Sequence, residues 1–369
     1  MSNRLRAGLN ISLTHRTNLG RGDLMDGYDF YRTDLLVETE EMVQHKTALE
    51  KNRLEEANGI IFEESRKGRI IVTEVKVDEV GEKRIGKKKG SYITLTVPTL
   101  IPDDVEEFGR LTTILIEKLE ELTNELSSLD KGRILFVGLG NRDITPDAVG
   151  PLTTDKLRDL VPDFYSEDGS EVFVYAPGVT IQTGLETADF VKAIVTEVNP
   201  DLLIVIDALA ARDSSRLCRT IQLTDTGIHP GSGVGNSRKE ISKETLGLPV
   251  IAIGVPTVVD GPVLVADAID RMFGYIASKI EEEDSPSSRL SVTPWLRGED
   301  EEADRSKLRP IFGEWSAWPH EDRVQLFEEV LTSHELRTFI SPKEIDAWVA
   351  HYANNLSSSL SEWVRRIKK

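Results

Sequence analysis

The sequence predicts an α/β protein: a mostly parallel, doubly wound sheet with helices on both faces, a β-rich N-terminal margin and a helical C-terminal annex. Three observations carry that expectation. Short apolar runs stand at Ile134 to Val137, Val172 to Tyr175, Leu202 to Ile206 and Val250 to Ile253. Helical stretches near 151–161, 184–197 and 262–281 separate or follow them, the arrangement of strands buried on both faces by crossover helices. All five tryptophans (Trp295, Trp315, Trp318, Trp348, Trp363) lie beyond Glu281, where an acidic stretch opens, a break in composition that sets the C-terminal region apart from the sheet.

Taken in order, residues 1–34 mix Arg, Asn, Gly, Asp and Thr without a sustained period of 2 or 3.6 and read as a poorly anchored leader. The β-rich text begins at Arg69. Ile70 to Val77 and Tyr92 to Thr96 flank the basic turn Lys87-Lys88-Lys89, which suggests a hairpin or sheet margin. Asp103 can cap an amphipathic helix running to about Leu126, since Val105, Phe108, Leu111, Leu115, Leu119 and Leu122 recur at spacings of three or four. The main sheet comes next, so 35–283 is read as one α/β catalytic domain. Residues 284–310, rich in Glu, Asp, Ser and Pro, read as an acidic linker or mobile loop, and 311–369 as the annex.

Composition excludes several classes. With 45 Lys and Arg against 63 Asp and Glu, the formal charge is −18, opposite in sign to a nucleic-acid-binding surface, so no direct nucleic acid partner is expected. A single cysteine, Cys218, permits neither an internal disulfide nor a CxxC metal site and fits a reducing compartment. The apolar runs fall far short of the ~20 residues of a membrane-spanning helix, and the first residues lack the apolar core of a signal peptide. The expectation is a soluble intracellular protein without a membrane partner.

Candidate chemistry gathers at the strand ends. Val137-Gly138-Leu139-Gly140-Asn141 succeeds a buried strand, where open α/β sheets place their sites. It is not a dinucleotide fingerprint, because GxGxxG needs glycine where Asp143 stands, and no P-loop string occurs. Asp147 is either a cap for the next helix or a working carboxylate. Asp207, after Leu202 to Ile206, is expected to end a central strand at the mouth of the crevice, where losing water has a cost that structure alone does not offset. Two such carboxylates can share a proton and activate water, and they also resemble half of a metal site. The loop Asp225 to Asn236 contains Gly227, Gly231, Gly233 and Gly235 with Pro230 and His229, the only histidine between residues 134 and 281. That composition suits a ligand loop better than a plain connector. Ser232 is not in GxSxG, since Pro230 breaks the string. Cys218 reads as a small buried hydrophobe, and the lysine run as a solvated turn or a contact for an acidic substrate.

At these residues the chain resembles a known family. Arg32-Thr33-Asp34-Leu35, Ile85-Gly86-Lys87-Lys88-Lys89-Gly90, the Val137 to Asn141 string with Thr145-Pro146-Asp147-Ala148, Ala176-Pro177-Gly178-Val179, Asn199-Pro200-Asp201, Ile206 to Arg212 and Gly227 to Asn236 with Arg238 to Ser242 are similar to the germination proteases of spore-forming bacteria. The likeness runs from about residue 28 to the C-terminus and is densest over 134–260. A longer leader, a Trp-rich C-terminal region and the acidic stretch near 300 depart from it.

The resemblance implies an endopeptidase of the forespore or spore core, cytoplasmic in that sense. Its substrates would be the small acid-soluble spore proteins that coat DNA. It implies a zymogen that cuts its own N-terminus, a homotetramer, and no cofactor. The family's catalytic aspartates match Asp147 and Asp207. Gly138, Gly140, Asn141, His229, Gly231 and Gly233 would then shape the substrate cleft. The family's cutting site, an acidic residue before a large aliphatic, matches Asp34-Leu35, although Leu36 stands where a small residue is usual. The fold is similar to that of hydrogenase-maturation endopeptidases, in which corresponding carboxylates and a histidine bind nickel. A metal-dependent peptidase using Asp147, Asp207 and His229 is therefore the alternative, and a non-enzymatic nucleotide-binding module with a phosphate turn at Gly138 to Asn141 is a third reading.

Overall fold

In the computed structural model the described residues are 59–97, 105–124, 126, 129, 132–160, 171–179, 186–230, 239–284, 305–332 and 338–368. They belong to one compact unit, residues 34–369. The leader with Asp34, together with Leu35, Asp103, Gly231 and Gly233, lies outside the described residues.

The elements run β1 (Ile60–Lys67), β2 (Ile70–Val77), α1 (Glu79–Ile85), β3 (Gly90–Thr96), α2 (Val105–Thr123), β4 (Ile134–Gly138), α3 (Val149–Leu160), β5 (Val172–Tyr175), α4 (Thr187–Val198), β6 (Leu202–Ala211), β7 (Thr220–Thr224), α5 (Lys243–Leu246), β8 (Val250–Asp260), α6 (Gly261–Asp284), α7 (Arg309–Phe312), α8 (His320–Thr332), β9 (Phe339–Ile340) and α9 (Ile345–Ile367). A 3-10 turn, Thr145–Asp147, precedes α3. Among the described residues these strands form one sheet in the order β1-β2-β3-β7-β8-β6-β4-β5, with β9 on β8.

The expected α/β sheet is present, and its parallel part is the block β8-β6-β4-β5. The margin is antiparallel from β1 through β7 to β8, and it joins the same sheet instead of standing beside it. The strands expected at 70–77 and 92–96 do pair, but α1 interrupts the connection, capped by the Asp78 carboxylate on the Val80 and Gly81 amides. β1 was not legible in the sequence. As the outermost strand it carries exposed charges where an inner strand would alternate.

The apolar faces of the sheet bury two clusters. Ile134 and Phe136 of β4, Ile204 and Ile206 of β6 and Ile251 and Ile253 of β8 pack under α2, α3 and α9. Leu135, Val137, Leu203, Val205 and Ala252 pack on the other side with Ala188, Val191 and Val195 of α4. Alternate residues of each strand serve opposite faces, the doubly covered pattern that near-continuous apolar runs encode.

The region read as the helical annex, 311–369, is mainly helical among its described residues and packs in two places. α9 is part of the principal core: Ile345, Val349, Tyr352, Leu356, Leu360, Trp363 and Val364 are buried with the sheet residues. Trp363 is 0% exposed and meets the Phe136 ring edge-on, 6.5 Å between centroids. Their spacing of three or four forms one apolar stripe, and a stripe that wide must be covered by the main body. Trp315 instead packs edge-on against Phe273 of α6, at 5.2 Å. Leu308, inside the expected linker, is also fully buried on α6 with Phe273 and Ala277.

Cys218 is a buried residue, as its apolar surroundings suggested, but it precedes β7 in a left-handed turn, φ 54°. Its carbonyl accepts the Tyr352 hydroxyl at 2.8 Å, so the turn is tied to α9. Burial pushes the thiol up to about 12, which leaves almost no thiolate near neutrality. We expect Cys218 to resist a thiol-specific disulfide reagent at pH 8 in the native protein and to react fully in denaturant. Rapid native labelling would contradict this burial.

Candidate active site

The site is built where β4 ends. β4 and β6 pair from Ile134↔Leu202 to Gly138↔Ile206, and the Leu139 amide still donates to the Ile206 carbonyl at 2.8 Å. The chain then turns away. Gly140 has φ +112°, and a Cβ there would fall 2.0 Å from the Asp147 carbonyl oxygen, so only glycine fits this turn. The Asp147 Oδ2 accepts the Asn141 amide at 2.7 Å, closing the loop on itself. Asn141 Oδ1 in turn accepts the Asp143 amide at 3.0 Å, and Arg142 ties the loop to Asp155 of α3 at 2.7 Å.

The start of α3 holds Asp147 against β6. A Cβ on Gly150 would lie 2.3 Å from the Leu139 carbonyl and 2.5 Å from that of Ile206, while one on Gly138 would lie 2.3 Å from the Gly150 carbonyl. The first turn of α3 therefore closes on backbone, directly beside the residue that precedes Asp207. The 3-10 turn that carries Asp147 packs against β6, β8 and α9.

Asp207 does not end its strand as expected. β6 continues to Ala211 because β8 stays paired with it that far. Only β4 has left, so Asp207 is the first residue past the end of the β4 pairing, and the crevice opens beside β6. Its parity is that of Leu203 and Val205, so its side chain points to the α4 face. It is 6% exposed, and its Oδ1 accepts the Ala208 amide at 2.9 Å. Both aspartates thus stand at the carboxyl end of the parallel block, each held by a backbone N–H, the donor geometry that orients a carboxylate without neutralising it.

The phosphate-turn reading loses two of its donors here. The Leu139 and Asn141 amides, which a phosphate would need, are spent on Ile206 and Asp147.

His229 stands in a different cluster. Its Nε2 lies 3.8 Å from Glu240 Oε1. Glu240 is paired with Lys88, which also reaches Glu244 at 2.9 Å. The basic turn is thus neutralised by this chain's own carboxylates. Burial pulls the Lys88 pKa down, but its hydrogen bonds to Glu240 and Glu244 outweigh that and leave it above its ordinary value. The Lys88 ammonium holds the Glu244 carboxyl at about 2. The base of the glycine loop is closed by a reciprocal pair of hydrogen bonds between Ile228 and Ile241, both 2.9 Å, and Lys239 anchors it to Asp189 of α4 at 2.7 Å. Among the described residues no three His, Cys, Asp or Glu side chains form a group able to hold a metal ion, so Asp147, Asp207 and His229 are not assembled as a ligand set.

Gly150 and the continuation of β6 escaped the sequence reading. A glycine in the first turn of a helix, where any residue is allowed, was the available signal for the first. The apolar text Ala208-Leu209-Ala210-Ala211 after Asp207 was the signal for the second.

Comparison with known proteins shows that the chain belongs to the germination protease family. A family model described as germination protease matches residues 36–366. A germination protease of Bacillus thuringiensis subsp. konkukian is 39% identical over 342 residues, covering 89% of this chain and 92% of the relative. One from Oceanobacillus iheyensis is 38% identical over 341 residues, covering 89% and 93%. Among solved structures, a nickel–iron hydrogenase maturation protease from Thermococcus kodakarensis aligns with 38% of this chain and 80% of its own, at 22% identity and a TM-score of 0.28.

Proposed function

Because the chain belongs to the germination protease family and is a peptidase, we propose that it is the spore-core endopeptidase that begins degradation of small acid-soluble spore proteins, with Asp147 and Asp207 as its working pair. The observation that carries this reading is the placement of both carboxylates at one end of the parallel strands, Asp207 just past the β4 pairing and Asp147 on the turn that Gly150 closes against Ile206. One ionised carboxylate takes a proton from water as it attacks the peptide carbonyl. The other, protonated, gives its proton to the departing amine, so the pair ends with its roles exchanged and no covalent intermediate forms. The same reading assigns Gly138, Gly140, Asn141 and His229 to the substrate cleft, together with Gly231 and Gly233, which lie outside the described residues. The working form is a homotetramer.

The test is direct. The purified chain is incubated with an α/β-type small acid-soluble spore protein, and both new termini are identified by mass spectrometry. A discrete internal cut supports the reading, and an intact spore protein defeats it.

The leader belongs to the same proposal. A segment without strand or helix periodicity can be extended into a peptidase cleft, whereas a strand inside a sheet cannot, and Asp34-Leu35 has the acidic-then-aliphatic character of the family's cutting site. We expect the wild type to acquire an N-terminus at Leu35 on acid incubation, and Asp207→Asn to keep its leader. Equal trimming of both proteins would assign the cut to a contaminating protease.

A further inference from the structure

β6 outruns its neighbour. Its pairing with β4 stops at Gly138↔Ile206, while its pairing with β8 continues to Ala211↔Val259. In a parallel ladder successive residues turn their N–H and C=O alternately toward the two neighbouring strands. Leu203 donates to the Pro249 carbonyl at 3.0 Å, on the β8 side, and the Ile206 carbonyl accepts from Leu139 at 2.8 Å, on the β4 side. Odd-numbered residues therefore face β8. Ala208 faces the side that β4 has left, and Ala210 follows it across the register shift at Leu209/Ala210, because the extra residue there, Thr257, belongs to β8 and the alternation of β6 runs on.

The Ala208 N–H is taken by the Asp207 carboxylate. That leaves the Ala208 carbonyl and both polar groups of Ala210 without a strand partner among the described residues. Leu202 to Asp207 are all buried, whereas Ala208 and Ala210 are partly exposed. A methyl side chain at each leaves room for another backbone to approach. Unpaired strand edges invite further strands, and natural proteins ordinarily cover them. This one lies in a notch inside the sheet, shielded from edge-to-edge association by β4 and β5, and it starts at a buried carboxylate.

We propose that the overhang of β6 is a docking rail for substrate. An extended peptide adds as a strand beside Ala208–Ala210, donating an amide to the Ala208 carbonyl and accepting the Ala210 N–H, so that its scissile bond lies against Asp207. The proposal rests on the peptidase reading of Asp207 and deepens it by naming what is recognised: main chain in the extended conformation. Strand addition of this kind draws affinity from backbone hydrogen bonds and reads only alternate side chains. It also requires the cleaved segment to be unfolded or unfoldable, since a helix has no free amides to offer.

The experiment begins from the cut mapped in the spore protein. A peptide spanning that cut is synthesised with each amide nitrogen methylated in turn, and kcat/KM is measured with the wild-type enzyme. The expected pattern has a period of two: about five- to tenfold loss at amides that face the rail, the worth of one backbone hydrogen bond, and little change at the amides between them. In parallel, amide hydrogen exchange is followed with the same peptide carrying a reduced, uncleavable bond at the cut. Exchange in the Ala208–Ala211 segment should slow on binding. If the spore protein is not cut at all, the peptidase reading falls and takes the rail with it. Cleavage with flat or non-periodic methylation effects overturns the rail alone, and so does periodicity without protection of Ala208–Ala211.

Discussion

Asp147→Asn and Asp207→Asn, each purified as folded protein, are expected to lose about 10²- to 10⁴-fold in spore-protein cleavage, the range in which a positioned general acid or base acts. Asparagine is the informative replacement because each carboxylate accepts a backbone N–H that an amide oxygen can still accept: Asn141 for residue 147 and Ala208 for residue 207. The loop and the strand edge keep their partners, and only the exchangeable proton and the charge are removed. Burial of Asp207 at 6% exposure points the same way for stability, since a neutral amide there is easier to desolvate than a carboxylate. Thermal unfolding should therefore be close to wild type. Cleavage within a few-fold of wild type by either variant would remove that residue from the chemistry.

Trp363→Ala is expected to cost about 3–5 kcal/mol, as large aromatic deletions in packed cores do, and Trp318→Ala less than about 0.5 kcal/mol. The two residues belong to the same late, tryptophan-rich region, but Trp363 is 0% exposed against Phe136 while Trp318 is 40% exposed. A separate annex would let both substitutions act locally and leave the sheet untouched. Because α9 also contacts the turn that carries Asp147 and closes over α2 and α3, the Trp363 variant should lose activity along with its denaturation midpoint. Equal, small effects of the two substitutions would return 311–369 to the status of an appended element. A chaotropic melt monitored by tryptophan fluorescence and by far-ultraviolet circular dichroism distinguishes the two, since a core α9 melts with the sheet in a single transition.

Much of the fold was legible because its signals are local. The buried strands at 134, 172, 202 and 250 announce themselves as apolar runs, and the helices between them as periodic text, since burial on two faces or on one stripe dictates those patterns residue by residue. Gly138, Gly140, Asp147 and Asp207 stood out for a related reason: small residues and carboxylates at strand ends are conspicuous against apolar neighbours. The identity of the family was also present in the strings themselves, over nearly the whole chain.

Other properties belong to pairs of distant residues, and no window of sequence contains them. The apolar stripe of α9 was readable as a stripe, but nothing local says that it covers Phe136, more than two hundred residues earlier. The length of β6 depended on β8 continuing beside it, and the open edge at Ala208 and Ala210 on β4 stopping short. The lysine run looked solvated until its Lys88 met Glu240 and Glu244. Gly150 seemed an ordinary helix residue until the Ile206 and Leu139 carbonyls occupied the space of its missing Cβ. Local periodicity determined which segments became strands and helices and which carboxylates were exceptional. Only tertiary packing decided where strands end relative to one another, because hydrogen-bond register and close backbone approach are properties of two segments at once.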